Sequence, residues 1–183
     1  IIINHENFID RAEIIREKGT NRSLFLRGFL DKYRWVDIGS SYLPSELNAA
    51  FLYAQLKEAE KVNEKRILLW EEYSKQLKDI VDIDLQVIPN SVKHNGHMFY
   101  IKLKNIKQRQ KMIDYLHKYG IQSVFHYIPL HESKKCKKYN VFNGVDKYTT
   151  KESERLLRLP MYYDLNVFDV QYICKKIREF YND

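Results

Sequence analysis

The chain has 183 residues, 44% of them hydrophobic and 30% charged, with six Gly and four Pro. That composition is globular and excludes disordered, collagen-like and low-complexity chains. Two cysteines, Cys136 and Cys174, exclude a disulfide scaffold, and no apolar run approaches the roughly 20 residues of a membrane-spanning helix. With 31 Lys and Arg against 24 Asp and Glu, the net charge is +7, which suits a nucleic acid, an anionic surface or a phosphorylated small molecule.

Ile1 to Ile3 reads as a β-strand without a turn before it. A start at Ile in place of Met gives the expectation of the downstream part of a longer protein. Asn4 can cap a helix running to about Lys18, with Phe8, Ala12 and Ile15 on one face and Gly19 as a left-handed C-cap. Thr20 to Ser41 follows as a long irregular stretch carrying Asn21, Arg22, Arg27, Tyr33, Arg34 and Trp35, and ordered loops of that length tend to be functional.

Pro44 and Ser45 open the dominant predicted element. No Gly or Pro interrupts Ser45 to Leu77, so the pattern predicts one helix of roughly 50 Å at 1.5 Å per residue. Such a helix exceeds a small domain and would bridge two packed units; the alternative is two helices with a break near Asn63. Beyond it, Val81 to Val87 alternates as a short strand and His97 to Leu103 as a longer one. Lys107 to Tyr119 reads as a helix closed by Gly120, and Ile121 to Tyr127 as a further strand. Pro129 to Lys147 reads as a loop with a lysine cluster at 134–138. Thr149-x-x-Glu152 reads as a capping box before a helix containing Leu156 and Leu157, stopped by Pro160. Asn166 and Asp169 open the last amphipathic helix. The expected architecture is an α+β segment with a long bridging helix: residues 1–44, an interdomain helix 45–78, and a small α+β domain 79–183.

The chemistry-bearing residues are sparse. His94-x-x-His97, His126, His131 and Cys136 could be gathered into a zinc site. The first pair brackets Gly96 and the cysteine has no second one nearby, so no metal is expected. His126 ends an apolar strand before a Pro-containing loop, where it can donate to a phosphate or hydroxyl; the alternative is a histidine satisfied by local backbone. His97, at a strand start, is equally two-sided. The lysine cluster lacks a Gly-rich cradle and interleaved stacking aromatics, so nucleic-acid binding has little support. No P-loop, GxGxxG or GxSxG motif is present.

Several strings together change the weighting: RAEIIREKGTNRS (11–23), DKYRWVDIGSSYLPSELNAA (31–50), HMFYIKL (97–103), VFHYIPLH (124–131) and YTTKESERLLRLP (148–160). In this order and spacing the chain resembles the C-terminal half of a DegT-type sugar-nucleotide aminotransferase, closest to the dTDP-4-amino-4,6-dideoxygalactose transaminase subgroup. The resemblance implies the C-terminal part of the fold-type-I aminotransferase architecture, pyridoxal 5′-phosphate (PLP) as cofactor, and a cytoplasmic homodimer. It also implies transfer of an amino group from glutamate to the 4-keto carbon of a dTDP-6-deoxyhexose for cell-surface polysaccharide, such as lipopolysaccharide, with no nucleic-acid or membrane partner.

The family's Schiff-base lysine lies upstream of the segment matching Ile1 to Asn4, so no catalytic residue is expected here, and the segment alone is expected to be inactive. Ser41 falls where many members carry an Asn that reaches the PLP phosphate of the neighbouring subunit, with Tyr42 beside it. Leu43 falls at an Arg position and cannot make that residue's contact. By resemblance His126, His97, Asn21 and Arg22 contact substrate. An inactive dimerisation or binding module is the alternative, and exposed apolar surface is expected to drive association of the segment on its own.

Overall fold

The computed structural model describes residues 1–139 and 142–182 and divides the chain into two compact units, 1–57 and 58–183.

In the first unit, Ile1 to Ile3 forms no strand and has no ladder partners among the described residues. A run of three apolar residues carries no information about whether a neighbouring strand exists to pair with it. Asn4 does not cap the first helix: a 3₁₀ turn at Glu6–Phe8 comes first, and α1 (Ile9–Arg16) begins after Phe8 with no side-chain cap. The C-terminal expectation fares better. Gly19 has φ +81, and its N–H donates to the Ile14 carbonyl at 2.8 Å. Lys18 also has a positive φ of 63, so the chain reverses over two residues. A short helix α2 (Arg22–Leu26) follows, and α3 (Glu46–Lys57) starts at Ser45, whose Oγ accepts the Asn48 N–H at 3.2 Å.

The second unit begins with α4 (Ala59–Leu77). The expected single helix is thus two, interrupted at Glu58, whose ψ of 1° leaves the helical range, and the break lies there rather than near Asn63. Lys57, Glu58, Ala59 and Glu60 are all good helix formers, so neither a breaker nor a change in periodicity marks it. Burial changes instead: α3 buries none of its residues, whereas α4 buries Leu69, Trp70, Tyr73 and Leu77.

The sheet has four antiparallel strands in the order β1 (Asp84–Leu85), β2 (Phe99–Lys102), β4 (Leu156–Leu159), β3 (Val124–Phe125). The strand expected at 121–127 shrinks to two residues. Leu156 and Leu157, expected in a helix, form the start of a central strand. Leu157 and Leu159 are buried while Leu156 and Arg158 are half-buried, a period of two that overrides the helical reading. Between the strands run α5 (Ile106–Lys118), capped by the Asn105 side chain, then α6 (Lys134–Tyr139) and α7 (Thr149–Arg155). The lysine cluster expected in a loop is thus helical, and Asn140 and Val141 of that stretch lie outside the described residues. Helix α8 (Val167–Asn182) opens on a reciprocal pair: the Asn166 Oδ1 accepts the Asp169 N–H at 2.9 Å, and Asp169 Oδ2 accepts the Asn166 N–H at 3.2 Å.

The second unit's core lies between one sheet face and α4, α5 and α8. Tyr73 stacks on Phe99 with ring centroids 4.9 Å apart, and Ile101, Met112, Leu116, Leu157 and Ile177 are fully buried beside them. Each such side chain contributes about 1.5–3 kcal/mol relative to exposure. Burial also pushes the Cys174 thiol up to about 12, which makes that cysteine a packing group. Gly96 has φ +59 and lies so close to α4 that a Cβ would come within 2.8 Å of the Arg66 carbonyl, which seats the approach to β2 on the helix backbone. Among the described residues no helix is long and apolar enough to cross a membrane.

Candidate functional site

In the first unit, the stretch after α1 folds back along the end of that helix. Ser40 N–H donates to the Ile15 carbonyl at 2.9 Å, Tyr42 N–H to that of Arg16 at 3.2 Å, and Lys18 N–H to that of Ser40 at 3.1 Å. Glu17 and Ser41 form one antiparallel bridge, Thr20 and Trp35 another. The 20–41 stretch is therefore ordered by its backbone.

Asn21 takes part in that ordering. Its N–H donates to the Arg34 carbonyl at 3.2 Å, and its Oδ1 accepts the Arg34 N–H at 2.8 Å. Arg22 donates to the buried Glu17 carboxylate at 2.8 Å, a hydrogen bond that raises the guanidinium's pKa further. Both expected substrate contacts thus have partners within the first unit, Asn21 in the loop and Arg22 at the end of α1.

Ser41 and Arg22 meet at a cavity of about 310 Å³, with Arg16, Lys18, Leu43, Ser45, Glu17 and Glu46 also on its wall. Glu17 is neutralised by Arg22, so Arg16, Lys18 and two hydroxyls face one remaining carboxylate. Ser45 spends its lone pair on the α3 cap and retains its O–H as a donor. Hydroxyls and cations at the start of a 12-residue helix suit a phosphate group. Leu43 adds no donor. The residues present therefore fit a phosphate-bearing cofactor, with Arg16 and Lys18 the members that sequence reasoning missed. Tyr42, 67% exposed, lies instead on a larger apolar cavity of about 760 Å³ with Ile1, Ile3, Ile9, Ala12 and Ile15.

In the second unit the two histidines have different settings. His126 is half-buried, edge-on to the Tyr127 ring at 5.4 Å, and its Nδ1 is shut off from solvent without a hydrogen-bond partner among the described residues. An orphaned ring nitrogen costs about 1–3 kcal/mol, and this one is not satisfied by local backbone. His97 is exposed, precedes β2 by two residues, and lines a cavity of about 320 Å³ with Gln122, Val124, Arg158, Met161 and others. His126 is not on that wall, so the structure does not bring the two histidines together around it.

His94 accepts the Gly96 N–H at Nδ1 and packs on Trp70. His131 Nε2 lies 2.9 Å from Asp146 Oδ2. That carboxylate also accepts the Thr150 hydroxyl at 2.5 Å and the backbone N–H groups of Thr149 and Thr150. Helix α7 is therefore capped by Asp146 and not by Thr149 as the capping-box pattern suggested; a side chain three residues ahead of the helix reached both amides. In the lysine cluster, Lys137 pairs with Glu132 at 2.5 Å.

Residues 1–178 match the DegT/DnrJ/EryC1/StrS aminotransferase family. The chain belongs to that family. It is 26% identical over 182 residues to the pleiotropic regulatory protein of Geobacillus stearothermophilus, covering 99% of this chain and 46% of that relative. Its fold is that of solved sugar aminotransferases. PseC of Helicobacter pylori, an aminotransferase of pseudoaminic acid biosynthesis, has a TM-score of 0.79 at 21% identity, covering 96% of this chain and 46% of that one. The putative sugar aminotransferase Spr1654 of Streptococcus pneumoniae, in its PMP form, has a TM-score of 0.75 at 19% identity over 95% and 45%, and it has been solved in a PLP form as well. This family member thus spans about half the length of the relatives it matches.

Proposed function

We propose that this chain is the C-terminal part of a PLP-dependent aminotransferase that moves an amino group from glutamate to the 4-keto carbon of a dTDP-6-deoxyhexose. The setting is cytoplasmic synthesis of cell-surface polysaccharide by a homodimer. The observation that carries the reading is the family match across residues 1–178. A fold shared with sugar aminotransferases, one of them in a PLP form, supports it.

When bound, PLP supplies an electron sink for the carbon that exchanges its amino group. The covalent lysine is assigned to a part of the protein outside these residues, so the segment alone is inactive. What these residues do is bind and orient. Ser41 donates to the cofactor's phosphate, that of the neighbouring subunit in this reading, and Lys18 and Arg16 supply positive charge on the same wall. Leu43 excludes water from its rim without adding a donor. Asn21 holds the 20–41 stretch in register and Arg22 is fixed by Glu17, so both shape the wall against which substrate rests. His126 has its Nδ1 enclosed and presents only its other ring nitrogen, able to donate to or accept from a sugar hydroxyl, and His97 is a second imidazole.

The test is turnover by the complete gene product with PLP, glutamate and dTDP-4-keto-6-deoxyglucose. Amino-sugar nucleotide and 2-oxoglutarate should form in equal amounts, read by mass spectrometry. A folded, PLP-loaded protein that forms neither, with this or any other keto-sugar nucleotide, overturns the reading.

A further inference from the structure

The sheet releases the chain one residue before His126. Strand β3 pairs with β4 through Val124 and Phe125, and no ladder pair holds the backbone of His126 or Tyr127 among the described residues. Both neighbours of His126 are held from the helices instead. The Arg109 guanidinium, on α5, lies over the Phe125 ring at 5.4 Å from its centroid. The Tyr127 carbonyl accepts the hydroxyl of Ser153, on α7, at 2.9 Å. The two holds meet in one residue, because the Ser153 carbonyl accepts an N–H of Arg109 at 3.3 Å.

A helical serine ordinarily turns its hydroxyl to solvent or to the carbonyl four residues back. This one reaches 26 residues along the sequence and adds no bond to its own helix. Helix α7 also holds the far end of the same segment: His131 Nε2 lies 2.9 Å from the Asp146 carboxylate that caps α7. The stretch from His126 to His131 is thus fixed to α7 at both ends. What this fixes is the direction of one ring. With Nδ1 enclosed, His126 has a single ring nitrogen to offer, and a misplacement of about 1 Å is enough to spoil such a contact.

We propose that Ser153 is a positioning residue for His126: its hydroxyl holds Tyr127, its carbonyl holds Arg109 over Phe125, and together they aim the imidazole between them. The placement rests on these contacts alone. Its consequence for a sugar hydroxyl rests on the proposed function.

The placement is tested on the purified chain by nuclear magnetic resonance of the histidine rings, with the His126 signal assigned by its loss in His126→Gln. Ser153→Ala should broaden that signal at least about twofold, as the ring samples more than one setting. The His94 and His97 signals should stay as they are, whereas a general loosening of the fold would move them. Ser153→Thr keeps the hydroxyl and should restore the natural line. Alanine favours a helix over serine, so Ser153→Ala should fold. If it does not, Arg109→Lys, which keeps the charge and loses the planar stack over Phe125, should broaden the His126 signal in its place. A His126 line as narrow as in the natural chain, or one that Ser153→Thr leaves broad, overturns the positioning role. In the complete enzyme, Ser153→Ala should raise KM for the sugar nucleotide about threefold to tenfold, the worth of one neutral hydrogen bond, and leave kcat and the glutamate KM within about twofold. An unchanged KM beside a broadened line overturns the contact of His126 with the sugar and supports the placement. If no transamination is found with any keto-sugar nucleotide, the proposed function falls and the histidine signal alone decides the role of Ser153.

Discussion

Gly39 passes Gly19 backbone against backbone: a side-chain carbon on Gly39 would stand 2.1 Å from the Gly19 nitrogen, and one on Gly19 would stand 1.9 Å from the Asp37 carbonyl oxygen. That crossing seats the 20–41 stretch on the end of α1 and so brings Ser41 to the wall that holds Arg22 and Lys18. Gly39 has no left-handed backbone, so the requirement there is space alone. Gly39→Ala is expected to cost about 1–3 kcal/mol of local stability through overpacking against backbone that cannot yield. Amide hydrogen exchange at Lys18 and Val36, both bonded across this crossing, should accelerate accordingly. Gly120→Ala is the control: its φ is +73 but nothing lies within 4 Å of the added carbon, so the cost is about 1 kcal/mol of backbone strain. Unchanged exchange in Gly39→Ala would show that the crossing does not hold the loop.

Tyr73 ties α4 to the end of β4. Its ring is fully buried against Phe99, and its hydroxyl donates to the Pro160 carbonyl at 3.0 Å. Burial pushes the phenol's pKa upward, so it stays a neutral donor throughout the accessible pH range. Tyr73→Phe keeps the stack and leaves a carbonyl unpaired, at a cost of about 1–3 kcal/mol in chemical denaturation. Tyr73→Ala removes the stack as well and should cost about 3–5 kcal/mol. Equal losses in the two variants would mean that the ring contributes nothing to packing.

Asp146 makes the stability of the α7 entrance depend on acid. The Thr150 hydroxyl, then the backbone amides and His131, hold its carboxyl down from 3.8 to about 2 despite partial burial. A depressed carboxylate stabilises the fold fully above its unfolded value, and that stabilisation is lost as pH falls through the folded one. The advantage of the natural chain over Asp146→Asn in urea midpoint should therefore be constant above about pH 4 and shrink between there and pH 2. A difference that stays flat to pH 2 would assign the cap to neutral hydrogen bonding alone.

Legibility in the sequence followed the range of the interactions. The Gly19 reversal, the Ser45 cap, the amphipathic helices α5 and α8 and the β2 strand are set by residues a few positions apart, and they stand in the structure near their expected places. The Glu58 interruption and the strand character of Leu156–Leu159 were hidden, because each depends on partners far along the chain or on a dihedral that good helix formers do not announce; the Asp146 cap is local but was masked by the competing Thr149-x-x-Glu152 pattern. Leu156 and Leu157 suit an amphipathic helix as well as a strand; only pairing with Phe99–Lys102 decides between them. For the site, the family strings pointed to Ser41, Tyr42, His97, His126, Asn21 and Arg22. The bonds of Asn21 to Arg34 and of Arg22 to Glu17 and the orphaned nitrogen of His126 needed coordinates.

Ser41 and Leu43 give the cofactor assignment its sharpest test, because they sit on one cavity wall and differ in what they can offer. If Ser41 donates to the phosphate of PLP, Ser41→Ala in the complete protein removes one hydrogen bond to a charged acceptor and should weaken PLP binding about tenfold. Leu43→Arg adds a cation at the same rim, where Arg16 and Lys18 already tilt the wall positive, and should tighten binding by a similar factor at low salt and less at high salt. Equilibrium dialysis with PLP reads both directly, without turnover. Ser41→Ala binding PLP as the natural protein does would remove Ser41 from the phosphate site, and a Leu43→Arg variant with unchanged affinity at low salt would place the phosphate away from this wall altogether.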